Sequence, residues 1–193
     1  MDYKIVLGII ATVIAFIGYI PYFKNIFKGK TKPHAFSWLI WGAMTAIGFA
    51  AQISGNAGPG AWVTGFTSVV TFSIFVLALF KGEKNIVLTD WLSLGGAGLS
   101  LLLWYITSGP LFSVILIVII DAFGFFPTFR KAFHKPFEET AITFFLSGLK
   151  FVFAVFALEN YSIITWLYPL YLIVANWSFV AMLIIRRKTL RVR

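Results

Sequence analysis

The chain has 193 residues, of which 60% are apolar, 19% aromatic and only 12% charged, and its mean hydropathy is +0.90. A water-soluble fold of this composition would expose large apolar patches, so an ordinary soluble domain is excluded. Zero cysteines exclude disulfides, thiolate metal sites and cysteine nucleophiles together, and the net charge of +9 raises nucleic acid as a partner only until the basic residues are located.

Taken in chain order, apolar runs of about 17–25 residues, enough to cross a bilayer, predict helices over 4–22, 36–54, 60–80, 88–107, 110–129, 139–158 and 163–185. The breaks run from Lys24 to Pro33, Ser54 to Gly60, Gly82 to Asn85, Ser108 to Pro110, Arg130 to Pro136 and Glu159 to Ser162. All carry ordinary stop signals. The runs are continuously apolar, whereas a membrane barrel would need a polar residue at every second position. The expected fold class is therefore an all-α membrane protein with seven transmembrane helices.

Seven spans place the termini on opposite sides. Of the 16 Lys and Arg residues, all but Lys4 and Lys150 lie on the side shared by loops 1–2, 3–4 and 5–6 and the C-terminal tail. Cytoplasmic loops carry such an excess, which predicts a multi-pass protein of a plasma or inner membrane, N-terminus outside and C-terminus cytoplasmic. The same distribution explains the charge through membrane topology and contact with anionic lipid, and sets nucleic acid aside. The first apolar run lacks a small-residue cleavage site and leads into a basic turn, so it reads as a retained helix, not a signal peptide.

An internal repeat follows from residues 18–27, GYIPYFKNIF, and 124–133, GFFPTFRKAF. Gly18, Pro21, Phe23 and Phe27 match Gly124, Pro127, Phe129 and Phe133, and Lys24 matches Arg130. After a three-residue deletion, Pro33 aligns with Pro136 and Ser37 with Thr140. Both copies end a helix running in the same direction, which requires an odd number of spans per unit plus an inverting linker. The layout is thus two parallel triple-helix bundles, 1–86 and 109–193, joined by a linker helix within 87–108. Gly95, Gly96 and Gly98 suit that linker, because small residues let neighbouring helices approach closely. Parallel repeats belong to one class of secondary transporter, with the substrate site between the bundles.

Gly-x-x-Pro followed by basic residues and Ser or Thr resembles the PQ-loop and MtN3/SWEET superfamily of transporters. PTFRKAF at 127–133 is close to the SWEET pattern after its first-helix proline. PYFKNIFKGKTKPHAFS at 21–37 is similar to PQ-loop repeats, with Asn25 and the Lys-Thr pair in place. The glutamine that names the PQ motif is Tyr22 in one copy and Thr128 in the other. Nicotinamide-riboside-type vitamin transporters and the KDEL receptor share a similar layout.

Pro21 and Pro127 form a matched pair. A proline inside a helix removes a hydrogen bond and kinks it, so the two read either as hinges for an inner gate, the role the resemblance implies, or as simple helix terminators. Asp121 and Lys150 are expected near mid-membrane, since nine residues separate Asp121 from Arg130 and eleven separate Lys150 from Glu139. At 1.5 Å per residue, that is roughly 14–17 Å from the boundary. Opposite charges at one depth suggest an ion pair, which either serves the substrate or a proton, or locks the second bundle. The repeat places Ala15 and Ile47 at the aligned positions.

The resemblance also implies an asparagine on the last helix of a bundle that bonds substrate hydroxyls, and tryptophan faces against a sugar ring. Asn176 and Trp177 fit that pattern, with the helix 3 counterpart of Asn176 at Ser73 or Phe72; the alternative role for Asn176 is a bond to a neighbouring helix. Trp41 is placed on the cavity wall and Trp62, Trp91 and Trp166 at the interfaces, with Trp38 and Trp104 open. His34 and His134 are expected in solvated loops without metal, and Glu138 and Glu139 at the N-terminus of helix 6, where carboxylates are favoured.

The resulting expectation is a carrier, facilitator or proton-coupled, that moves a small polar solute by alternating access. The resemblance implies a sugar or related metabolite. Asp121 and Lys150 facing the cavity would instead favour an amino acid, a vitamin-like or nucleoside-like solute, or proton coupling. The alternative is a KDEL-receptor-like sorting receptor. No catalytic constellation or cofactor motif is present, so no enzyme is expected. The expected partners are the solute and membrane lipid, and a homo-oligomer is compatible with the layout.

Overall fold

The computed structural model describes residues 2–106 and 110–191. Seven α-helices and no strand form among them: α1 (Tyr3–Phe27), α2 (Ala35–Ser54), α3 (Trp62–Lys81), α4 (Leu88–Ile106), α5 (Pro110–His134), α6 (Ala141–Phe156) and α7 (Ile163–Arg191). Short 3-10 turns at Gly58–Ala61 and Pro136–Glu138 precede α3 and α6. The expected boundary at 108/109 lies outside the described residues.

Among the described residues, four helical segments are long and apolar enough to cross a membrane, namely α1, α2, α3 with its 3-10 turn, and α7, while α6 has only 16 residues. The surface agrees with a lipid environment. Phe16 and Ile20 of α1, Val69 and Phe80 of α3, Leu92 of α4 and Ile185 of α7 are all about half exposed or more. Hydroxyls and charges are buried instead: Thr64, Thr67, Thr71, Asp121, Thr143 and Lys150 lie inside. A soluble protein has the opposite preference, and such an apolar exterior suits a membrane protein.

The helices form a closed ring. Around it, α1 packs on α6, α6 on α7, α7 on α5, α5 on α2, α2 on α3, and α3 back on α1, while α4 lies outside, mainly against α5. In each expected trio the third helix packs on both others, whereas the backbones of α1 and α2 do not approach closely, nor do those of α5 and α6. Exchanging α1, α2 and α3 for α5, α6 and α7 therefore returns the same set of neighbours.

The repeat glycines mark where the trios meet. A Cβ on Gly18 would come 3.0 Å from Leu146 of α6, and one on Gly124 would come 2.9 Å from Ile40 and 3.0 Å from the Trp41 indole nitrogen of α2. Each glycine lets its helix approach the second helix of the other trio. The next repeat position does similar work: Tyr22 donates to Glu139 Oε2 at 3.3 Å, and Thr128 donates to Ser37 Oγ at 2.8 Å. Ser37 is the aligned partner of Thr140, immediately after Glu139.

Several expectations are corrected here. The helices do not stop at the paired prolines. Beyond Pro21, α1 runs on to Phe27, and beyond Pro127, α5 runs on to His134, so neither proline is a terminator. A third proline, Pro169, lies inside α7. Helix 6 begins at Ala141, not at 139, because Glu139 is in extended backbone and Thr140 is the N-cap. Glu138 and Glu139 therefore cap nothing. They reach sideways to lysines, as described below.

Candidate functional site

A cavity opens at the centre of the ring, and all six ring helices line it. Tyr19 comes from α1, Trp38, Trp41 and Thr45 from α2, Thr67 and Thr71 from α3, Asp121 and Phe125 from α5. From α6 come Thr143, Phe144, Ser147, Lys150 and Phe151, and from α7 Leu172 and Asn176. About 40 Å³ is open to the centre of a water-sized sphere, room for a few waters on the usual requirement of about 10–15 Å³ each.

Helix geometry explains who points inward. Trp38, Trp41 and Thr45 are spaced three and four apart, as are Thr143, Ser147 and Lys150, so each set shares one face of its helix. Thr64, Thr67, Ser68 and Thr71 make a buried hydroxyl stripe along α3. Thr67 and Thr71 bond back to the carbonyls of Val63 and Thr67 at 2.6 and 2.8 Å, which satisfies their protons inside the helix.

Of the expected site residues, Trp41, Asp121, Lys150 and Asn176 meet in this one cavity. Trp177 does not. Consecutive helical residues point about 100° apart, so with Asn176 inward Trp177 faces outward, 39% exposed. Its indole N–H donates to the Phe145 carbonyl at 3.2 Å and its ring stacks on Phe145. The α3 side chains that join Asn176 at the cavity are Thr67 and Thr71, not Ser73 or Phe72. Ser73 is exposed and bonds Val69 O.

Asp121 and Lys150 do not form the expected ion pair. Both are fully buried, yet each is held separately. Tyr168 donates to Asp121 Oδ1 at 2.9 Å, and Asp121 Oδ2 has no hydrogen-bond partner. Lys150 Nζ donates to Thr67 Oγ1 at 2.7 Å and to the Tyr19 hydroxyl at 3.2 Å, and lies 4.7 and 4.9 Å from the ring centres of Tyr19 and Phe151. Cation–π contact offsets part of its burial cost. The Nε1–H groups of Trp38 and Trp41 are also buried without an acceptor. Asn176 Nδ2 donates to Leu172 O at 2.8 Å.

On one side of the cavity an aromatic layer closes the ring. Tyr22 packs on Trp38 at 4.9 Å, Trp38 on Trp41 at 5.1 Å, and Phe144 on Phe179 at 4.4 Å. Next to it lies a polar layer that ties the loops. Lys131 and Glu139, each 1% exposed at the side chain, meet at 2.6 Å. Lys131 also donates to the carbonyls of Lys32 and Glu138, and Lys32 pairs with Glu138 at 2.9 Å. Asn25 donates to Thr140, and Lys135 reaches Glu83 at 2.9 Å. These bonds gather loop 28–34, loop 82–87, loop 135–140 and, through Arg187 on the Pro136 carbonyl, the end of α7. They are the four basic segments that the charge distribution assigns to one side.

At the opposite end, Gln52 bonds the Thr165 carbonyl at 3.2 Å and the Glu159 N–H bonds Ala57 O at 3.1 Å. Ala57, Ala61 and Leu158 close a small apolar cluster there. Ties therefore exist on both sides of the cavity.

His34 is a further correction, since it is fully buried, not solvated. Its Nε2 stands 3.2 Å from Asp90 Oδ2, and Asp90 also takes two bonds from Arg130 at 2.8 and 2.7 Å. Burial is the main force holding the imidazole below its ordinary value of 6.5; Asp90 opposes this, and Arg130 and Lys131 reinforce it. Glu83 sits below the usual carboxylate value because Lys135 and the Asn85 N–H outweigh the cost of its burial. Burial pushes Glu139 up against the pull of Lys131, Tyr22 and Arg187.

The His34 shift has a testable sign. Protonation is harder in the folded state, so its contribution is complete above the unfolded value of 6.5 and is lost as pH falls toward the lower folded value. The melting temperature of purified protein is expected to drop from about pH 8 to about pH 5, and to drop less in His34→Gln. An identical profile in the variant would remove His34 from the account.

No family model, curated protein or solved structure matches the chain. Function must be argued from the cavity itself. Among the described residues no three His, Cys, Asp or Glu side chains gather as a metal set. What the cavity offers is a buried carboxylate, a buried ammonium, an amide, hydroxyls and aromatic faces. These groups can hydrogen-bond and charge-pair with a polar molecule.

Sequence reasoning missed Tyr19 and Tyr168, which hold Lys150 and Asp121, as well as the α3 hydroxyls. The signal for Thr67 and Thr71 was legible: four hydroxyl residues at helical spacing in an otherwise apolar segment. No local signal marks the tyrosines, because each serves a residue more than 40 positions away in the chain.

Proposed function

We propose that this chain is a polytopic membrane carrier that moves a small polar solute by alternating access. In this reading all seven helices cross the membrane, with the basic end on the cytoplasmic side and the N-terminus outside. Residues 1–86 and 109–193 form two parallel bundles, and the helix within 87–108 inverts the second. The PQ-loop and SWEET-like resemblance favours the same layout. The neighbour pattern supports it, since the two trios exchange without altering the set of contacts.

The observation that carries the proposal is a central cavity, walled by aromatic side chains and bearing polar groups from every ring helix, while the outer face of the ring stays apolar. A buried carboxylate and ammonium are expensive in a membrane and by default mark function. Ties above and below the cavity fit an occluded intermediate. Opening toward the basic end requires the Tyr22–Glu139 and Thr128–Ser37 contacts between trios to part, and Pro21 and Pro127, each inside a helix where it removes a backbone hydrogen bond, are the natural hinges, one per bundle. Asp121, Lys150, Asn176 and Trp41 bind the solute, without cofactor or catalytic chemistry.

The test is uptake into proteoliposomes of radiolabelled sugars, amino acids, nucleosides and B vitamins, each against empty liposomes. At least one solute is expected to accumulate or equilibrate faster, and Asn176→Ala to reduce its rate about tenfold, the usual scale for a lost hydrogen bond to a charged group. Specific binding of a ligand with no uptake of any kind would replace the carrier by a receptor.

A further inference from the structure

The solute class follows from how the charges of the cavity are left, if the cavity is the solute site proposed above. Lys150 has three donor protons, and the structure spends two of them on neutral oxygens of Thr67 and Tyr19, with no carboxylate within ion-pair distance. Asp121 receives the Tyr168 phenol proton at Oδ1, Tyr171 also faces the carboxylate, and Oδ2 has no bond of hydrogen-bond geometry. The two residues stand on α6 and α5, whose backbones do not approach closely because α7 lies between them in the ring. The cavity separates them, and both line it.

A solute of net charge would satisfy one of these ions and leave the other unpaired in a dry site, which is strongly unfavourable. A neutral polyol would bond both but compensate neither. A solute with an ammonium group at one end and a carboxylate at the other completes both at once. We propose that the cavity binds a small zwitterion of the amino-acid type, its ammonium on Asp121 Oδ2 and its carboxylate on Lys150. The two ions belong to the second trio, while the first offers only hydroxyls and aromatic edges. The narrow cavity selects a short body.

The test uses purified full-length protein in detergent, with binding followed by thermal shift and calorimetry. The probes are L-alanine and γ-aminobutyrate as zwitterions, alanine methyl ester as a cation, propionate as an anion and glucose as a neutral polyol. At least one zwitterion is expected to bind at least tenfold more tightly than the ester, propionate or glucose. Asp121→Asn and Lys150→Met should each weaken it at least tenfold. They should also switch preference, Asp121→Asn toward propionate and Lys150→Met toward the ester, a result that general loss of folding cannot mimic. Binding of neither zwitterion, glucose binding as tightly as the zwitterions, or both variants retaining the original order of preference would overturn the proposal. A zwitterion that binds but does not enter proteoliposomes keeps this inference and removes the carrier. Uptake of glucose alone does the reverse.

Discussion

Replacing Lys131 by Met is expected to cost about 3–5 kcal/mol of folding stability, the scale for breaking a buried ion pair from one side. The ammonium is buried with Glu139 at 2.6 Å and fills two carbonyl sites, at Lys32 and Glu138. Without it Glu139 remains buried with Tyr22 as its side-chain donor, and the loop between α1 and α2 loses its bond to α5. The double variant Lys131→Met with Glu139→Leu should recover much of the loss, because a buried ion pair is often replaced by apolar side chains at little cost. Denaturation in detergent, run as a double-mutant cycle, measures the coupling. Single variants within about 1 kcal/mol of the parent would show that water, not the partner, solvates these charges.

Asp90→Asn should cost about 3 kcal/mol, from loss of a charge-assisted fork and the cation it leaves behind. Asp90 is fully buried at the start of α4 and binds Arg130 of α5 through both oxygens. It also takes the Val87 N–H at 3.0 Å and faces His34. One carboxylate thus pins the outer helix α4 to two members of the ring. The expected signature is a lower melting temperature together with faster proteolysis in the segment 82–87, measured against the parent. Unchanged cleavage there, with a normal melt, would mean that α4 is held by its apolar contact with α5 alone.

Local pattern carried much of the architecture. Apolar run length and the Gly and Pro breaks placed seven helices within a few residues, because helix formation in an apolar environment depends on nearest-neighbour hydrogen bonding that a linear reading can count. The basic residues assigned four segments to one side, and the structure ties those segments together at one end of the ring. The Gly-x-x-Pro repeat pointed to Gly18 and Gly124, two of the places where α1 and α5 press against α6 and α2.

Where the linear reading failed, the deciding quantity was always a distance across the ring. Asp121 and Lys150 share a depth in the sequence, but depth along two axes says nothing about the angle at which each side chain leaves its helix, and here α7 stands between them. Trp177 adjoins Asn176 in sequence, yet it turns outward to bond the Phe145 carbonyl. His34, Glu138 and Glu139 look like loop and cap residues until Asp90, Lys32 and Lys131 arrive from distant segments to pair with them. The residues determined by themselves that this chain makes apolar helices with one basic end. Only the tertiary packing decided which polar groups meet and which are left with bonding capacity to spare, because hydrogen bonds and ion pairs act over a few ångströms and join residues that the chain separates by tens of positions.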